Sequence, residues 1–131
     1  MFLHIVDDEV RLVQSLAALL GHLHDVTTAT SAKEALAHCK QSSFDCVLCD
    51  LMMPVASGMD LYDELARAGD GTERRMIFMT GGTFTARARE FVAQISNDVL
   101  DKPFSATRAE SAIATLFERL GPQLAKPDHS G

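Results

Sequence analysis

The chain has 131 residues, 47% of them hydrophobic, which suffices for one domain around one core and is too short for a second. A net charge of -6 and a pI near 5.2 leave no clustered basic face for a polyanion, so direct nucleic-acid binding is not expected of it. No apolar run approaches the roughly 20 residues of a spanning helix, and Met1-Phe2-Leu3 lacks the basic flank of a secretory leader, so the expectation is a soluble cytoplasmic chain without membrane contact.

Apolar runs of strand length alternate with segments of helical period. Leu3 to Val6 reads as a first strand, and Val10, Val13, Ala17 and Leu20 then recur at the spacing of one helix face. Val26 to Ala29 is a second, less apolar strand, followed by Ser31-Ala-Lys-Glu34, the pattern of a capping box, ahead of Ala35, Leu36 and Cys39. Cys46 to Cys49 is the third strand. Pro54 and Gly58 mark a loop, and Leu61, Tyr62 and Leu65 give the next helix its stripe, which Gly69-Asp-Gly71 ends. Met76 to Met79 is the fourth strand, Gly81-Gly82 a loop, and Ala88, Phe91, Val92 and Ile95 a fourth helical stripe. Val99-Leu100 is a short fifth strand. Ser105 is placed to cap a last helix with Ala109, Ala112, Ile113, Leu116 and Leu120 inward, and from Gly121, with Pro122 and Pro127, a flexible tail is expected over residues 121–131.

Three cysteines, an odd number, fit a reducing compartment better than a disulfide framework. Cys46 and Cys49 have the spacing of a metal or redox pair, but residues three apart on a strand point to opposite faces, so both read as buried thiols. His22 and His24 flank a turn with no ligand at helical spacing and read as surface histidines. Arg87, Arg89, Glu90, Arg108 and Glu110 read as a solvated charged face.

Five strands alternating with five helices demand a parallel sheet covered on both faces, a flavodoxin-like doubly wound (βα)5 α/β domain with strand order 2-1-3-4-5. All its strands end at one edge. Asp7 and Asp8 close the first strand, Asp50 the third, Thr80 the fourth and Lys102 the fifth, so three carboxylates, a hydroxyl and an ammonium converge at the crevice. Close carboxylates repel unless a cation holds them, and a few hard oxygen ligands with room for water and phosphate suit Mg²⁺. A carboxylate can itself be the nucleophile toward phosphorus, with Lys102 and Thr80 placed to meet phosphoryl oxygens.

Here the chain, over residues 2 to about 120, resembles the receiver domain of two-component response regulators. The resemblance is carried by Ile5-Val-Asp-Asp-Glu9, Asp45-Cys-Val-Leu-Cys-Asp-Leu-Met-Met-Pro54 with Gly58, Met79-Thr-Gly-Gly82 and Asp101-Lys-Pro-Phe104. It implies a receiver domain over residues 1–120 in which Asp50 accepts a phosphoryl group from a histidine kinase or a histidine phosphotransfer domain. It further implies that Asp7, Asp8, Asp50 and the backbone carbonyl of Met52 hold Mg²⁺, that Thr80 and Lys102 bind the phosphoryl oxygens and transmit the change, and that Lys102-Pro103 is cis. The domain catalyses its own phosphorylation and dephosphorylation in such a scheme, and a homodimer is compatible with it.

One position departs from the pattern. Where many receivers carry a Tyr or Phe that swings inward, three residues before the lysine, this chain has Val99, so rearrangement is expected to run through the Thr80 to Phe84 segment with its two glycines. Thr-Gly-Gly followed by Phe84 and Asp-Lys-Pro-Phe resembles most the receivers of hybrid sensor histidine kinases, with a stand-alone regulator as the alternative. An aspartate-nucleophile phosphatase would need a second Asp two residues after Asp50, where Met52 stands, and a phosphorylation-independent interaction module would have lost an acidic residue that is present here.

Overall fold

The computed structural model describes residues 1–82 and 85–123; Phe84 and the expected tail beyond Gln123 lie outside the described residues. The elements are β1 (Phe2–Val6), α1 (Val10–Leu20), β2 (Asp25–Ala29), α2 (Ala32–Gln41), β3 (Cys46–Asp50), α3 (Gly58–Ala68), β4 (Met76–Thr80), α4 (Ala86–Gln94), β5 (Val99–Asp101) and α5 (Ala106–Leu120), with a 3-10 turn over Thr72–Arg75 ahead of β4. The sheet is parallel in the order β2-β1-β3-β4-β5, as the alternation of periods demands. Val6 lies opposite Ala29 and Cys49, Asp50 opposite Met79, and Thr80 opposite Asp101, which brings the functional strand ends to one edge.

The two central strands β3 and β4 are buried along their whole length, because helices cover both faces of the sheet. Alternate residues of β1, β3 and β4 divide between two apolar layers. Leu3, Ile5, Cys46, Leu48, Ile77 and Met79 pack with α1 and α5, while Val6, Val47, Cys49, Met76 and Phe78 pack with α2, α3 and α4. Cys46 and Cys49 therefore sit on opposite faces, and all three cysteines are buried. Burial pushes both strand thiols up, away from the ionised form a redox or metal pair needs.

Local sequence explains the ends of the helices. Ser57 caps α3 in a full capping box with Asp60, Thr85 caps α4 and Ser105 caps α5, while Gly69 ends α3 at φ 78°, a left-handed conformation that favours glycine. The box expected at Ser31 forms by half. Ser31 accepts from the Glu34 N–H, but the Glu34 carboxylate reaches the N–H of Thr30, one residue further back.

Several expectations need correction. The inner face of α1 is Val13, Leu16 and Leu20, and Val10 is exposed, since the helix begins there and its first side chain projects beyond the sheet edge. His24 is no surface residue: its side chain is 7% exposed and its Nε2 lies 2.8 Å from Glu110 on α5, which removes Glu110 from the charged face as well. Arg87, which pairs with Asp60 at the surface, and Arg89, Glu90 and Arg108 are exposed, as expected of a solvated charged face. The stretch from Gly121 is tethered at its start. Buried Arg75 donates to the carbonyls of Gly121, Leu120 and Asp45, and the Asp45 carboxylate accepts the N–H groups of both Phe2 and Gln123. His4 is also fully buried, stacked on Phe44 and in contact with His38 and Cys39; burial, with His38 beside it, lowers its pKa to about 3 and keeps it neutral.

Candidate functional site

Asp7 directly follows β1, and its backbone N–H donates to the Ala29 carbonyl of β2 at 3.1 Å, which fixes the residue before the chain turns into α1. Its side chain is fully buried. Oδ1 accepts from the Glu9 N–H at 2.9 Å and Oδ2 from Lys102 Nζ at 2.7 Å. Asp8 is exposed, Asp50 is 7% exposed, and each of the three aspartates offers a carboxylate oxygen within 4.8 Å of the others'. The acidic residues singled out in the sequence thus share one cleft.

Lys102 spans it. The backbone N–H of Lys102 donates to the Thr80 carbonyl at 2.7 Å, and its Nζ reaches Asp7 at 2.7 Å and Asp50 Oδ2 at 3.5 Å. The Lys102-Pro103 peptide is cis, in agreement with the resemblance. Burial pushes the Asp50 carboxyl up to about 6, with the Asp7 charge adding to the rise and the Lys102 ammonium and the Met52 N–H, 3.4 Å from Oδ1, opposing it. Burial alone would lower the Lys102 pKa, but its bond to Asp7 and its attraction to Asp50 outweigh this and leave it raised. One ammonium compensates two carboxylates here, and the site retains net negative charge.

Thr80 ends β4 at the same edge, 3% exposed. Met52 touches the site through its N–H, and the residue is 39% exposed. The donor set of Asp7, Asp8 and Asp50 consists of hard oxygens that lack a full complement of positive charge, which fits a small divalent cation such as Mg²⁺.

Gly58, a loop residue that is also part of the motif carrying the resemblance, belongs to the site by packing. Its N–H donates to the Leu51 carbonyl at 3.1 Å, and a Cβ built on it would lie 2.3 Å from the Asp50 carbonyl oxygen and 3.1 Å from the Leu51 Cα. The start of α3 therefore rests directly on the backbone that carries Asp50. Gly58→Ala is expected to lower stability by about 2 kcal/mol through overpacking against backbone that has no room to yield. A thermal melt checks this, and a midpoint equal to that of the parent chain would contradict it.

The family described as the response regulator receiver domain matches residues 3–114. The tetrathionate response regulatory protein TtrR of Salmonella typhimurium is 30% identical over 112 residues, covering 85% of this chain and 53% of that protein. The transcriptional regulatory protein FixJ of Azorhizobium caulinodans is 31% identical over 121 residues, 92% of this chain and 56% of that protein. Among solved structures, a response regulator receiver domain protein from Clostridium thermocellum superposes with a TM-score of 0.78 at 29% identity, covering 90% of this chain and 94% of that one. The chain spans about half the length of such curated relatives, or less.

Proposed function

The chain belongs to the response regulator receiver domain family, and we propose that it serves in a phosphorelay by accepting a phosphoryl group on Asp50 from the phosphohistidine of a histidine kinase or a histidine phosphotransfer domain. An Asp50 carboxylate oxygen attacks phosphorus, a P–O bond forms, the P–N bond breaks, and its electron pair stays on the donor imidazole. Lys102 Nζ, 3.5 Å from Asp50 Oδ2, is close enough to turn from the carboxylates onto a phosphoryl oxygen, and the Thr80 hydroxyl is the donor for another. Asp7, Asp8, Asp50 and the Met52 carbonyl would hold Mg²⁺, and a cation bound there neutralises charge on the transferring group. The observation that carries this reading is the meeting of the three carboxylates with one ammonium at the open edge of the sheet.

Relatives that are themselves response regulators and transcriptional regulators favour a place in a regulator over a place in a hybrid kinase. Since those proteins extend well beyond the matched region, the expectation about nucleic acid concerns this domain and not a protein that contains it.

Incubation with acetyl phosphate and Mg²⁺ should add one phosphate by intact mass. The adduct should be absent in Asp50→Asn and form slowly in Asp7→Asn and Asp8→Asn. A phosphate that persists in Asp50→Asn would overturn the assignment.

A further inference from the structure

Of the five helices, α4 is the least embedded: Ala88 is its one fully buried residue, whereas α3 and α5 bury four each. Two of the contacts that hold α4 in place come from α3. Asp60 Oδ2 accepts from the backbone N–H of Ser57 at 2.8 Å and from its hydroxyl at 3.1 Å, closing the cap of α3, while its Oδ1 accepts from Arg87 of α4 at 2.9 Å. One turn along α4, Phe91 meets Tyr62 of α3 edge-on with ring centroids 5.1 Å apart and Phe78 of β4 edge-on at 5.4 Å.

The two helices answer to opposite sides of the cleft. The start of α3 is pinned to the Asp50 backbone through Gly58, and α4 follows β4, which ends on Thr80. A phosphoryl group drawing Thr80 toward Asp50 pulls on the strand that leads to α4, while α3 stays with Asp50. The joint between α3 and α4 then resists or gives.

We propose that Asp60–Arg87 and Tyr62–Phe91 form a latch that holds α4 in its unphosphorylated position, so that latch and phosphoryl group oppose each other. The inference rests on Asp50 being the phosphoryl acceptor. Coupling between two sites is reciprocal, so loosening the latch must strengthen binding of a phosphoryl mimic by the same factor by which the mimic weakens the latch.

Tyr62 is the one tyrosine of the chain, so incorporation of 3-fluorotyrosine places a single ¹⁹F probe in the latch. Beryllofluoride with Mg²⁺ imitates the phosphoryl group, and its own bound fluorine resonances report occupancy of Asp50 independently. At saturation the Tyr62 resonance should move toward its position in the unfolded chain. Arg87→Ala should lower the half-saturating beryllofluoride concentration roughly threefold, in the range that loss of an exposed ion pair gives. Phe91→Leu should lower it further and displace the Tyr62 resonance before any mimic is added. Arg67→Ala, which removes an exposed pair within α3 itself, should leave the midpoint unchanged. Bound beryllofluoride with an unmoved Tyr62 resonance, or equal midpoints in Arg87→Ala and the parent chain, would overturn the latch while leaving Asp50 as acceptor. Failure of beryllofluoride to bind at all would overturn the acceptor reading and the latch with it.

Discussion

Lys102→Ala is expected to destabilise the metal-free domain by about 3 kcal/mol at pH 7, near the lower end of the cost of breaking a buried ion pair. The Lys102 side chain is 15% exposed and its ammonium compensates Asp7, whose side chain is fully buried, as well as Asp50. Alanine leaves two carboxylates facing each other in a cleft of reduced dielectric, and each then lacks its cation. For a domain of this size the thermal midpoint should fall by roughly 10 °C. The deficit should shrink as the pH falls toward about 6, because without the ammonium the Asp50 carboxyl takes up its proton at a higher pH than in the parent chain. A second substitution, Asp50→Asn, should recover part of the loss, since it removes one of the two stranded charges. Equal midpoints for the parent chain and Lys102→Ala at pH 7 in the presence of a chelator would show that the ammonium is not what makes the acidic cluster tolerable.

Asp50→Asn alone should have the opposite sign. Burial and the Asp7 charge raise the Asp50 carboxyl from 3.8 to about 6, so the folded chain binds the proton more tightly than the unfolded one does. Stability then falls as the pH rises through this interval, and above about 6 the ionised carboxylate carries its full penalty. Asparagine keeps the shape without the charge. The expected gain is about 2 kcal/mol at pH 7, less than the shift alone implies because the mouth of the cleft is open to solvent, and it should fade to nothing below about pH 4. The residue that the proposed chemistry requires is therefore one the metal-free fold would be more stable without. Denaturant unfolding of both chains at pH 7.5 and pH 4 measures this. A variant less stable than the parent at pH 7.5 would contradict the charge argument.

Much of the fold was legible because each strand announces its end with a polar residue and each helix with a cap or a glycine. Asp7, Asp50, Thr80 and Lys102 stand at strand ends in a parallel sheet, and topology alone brings them together. Contacts between residues remote in sequence were hidden. His24 reads as a surface residue until Glu110, on the far side of the chain, is found beside it. Arg75 precedes β4 with no signal of burial in its neighbours, and its guanidinium is buried because the backbone carbonyls of Asp45, just before β3, and of Leu120 and Gly121 at the end of α5 converge on it. Val10 stands outside the core for a different reason: the three-four spacing extends one turn too far back, and periodicity cannot tell where a helix leaves the sheet. Gly58 was visible as a turn residue, but its reason, the closeness of the Asp50 carbonyl, is a property of packing.

The account turns on which carboxylate takes the phosphoryl group. Borohydride reduces an acyl phosphate of aspartate to homoserine, so reduction after exposure to acetyl phosphate and Mg²⁺, followed by peptide mass mapping, identifies the acceptor directly. Homoserine at position 50, with Asp7 and Asp8 intact, is the predicted result; homoserine at position 7 or 8, or none in a chain that has gained phosphate mass, would contradict it.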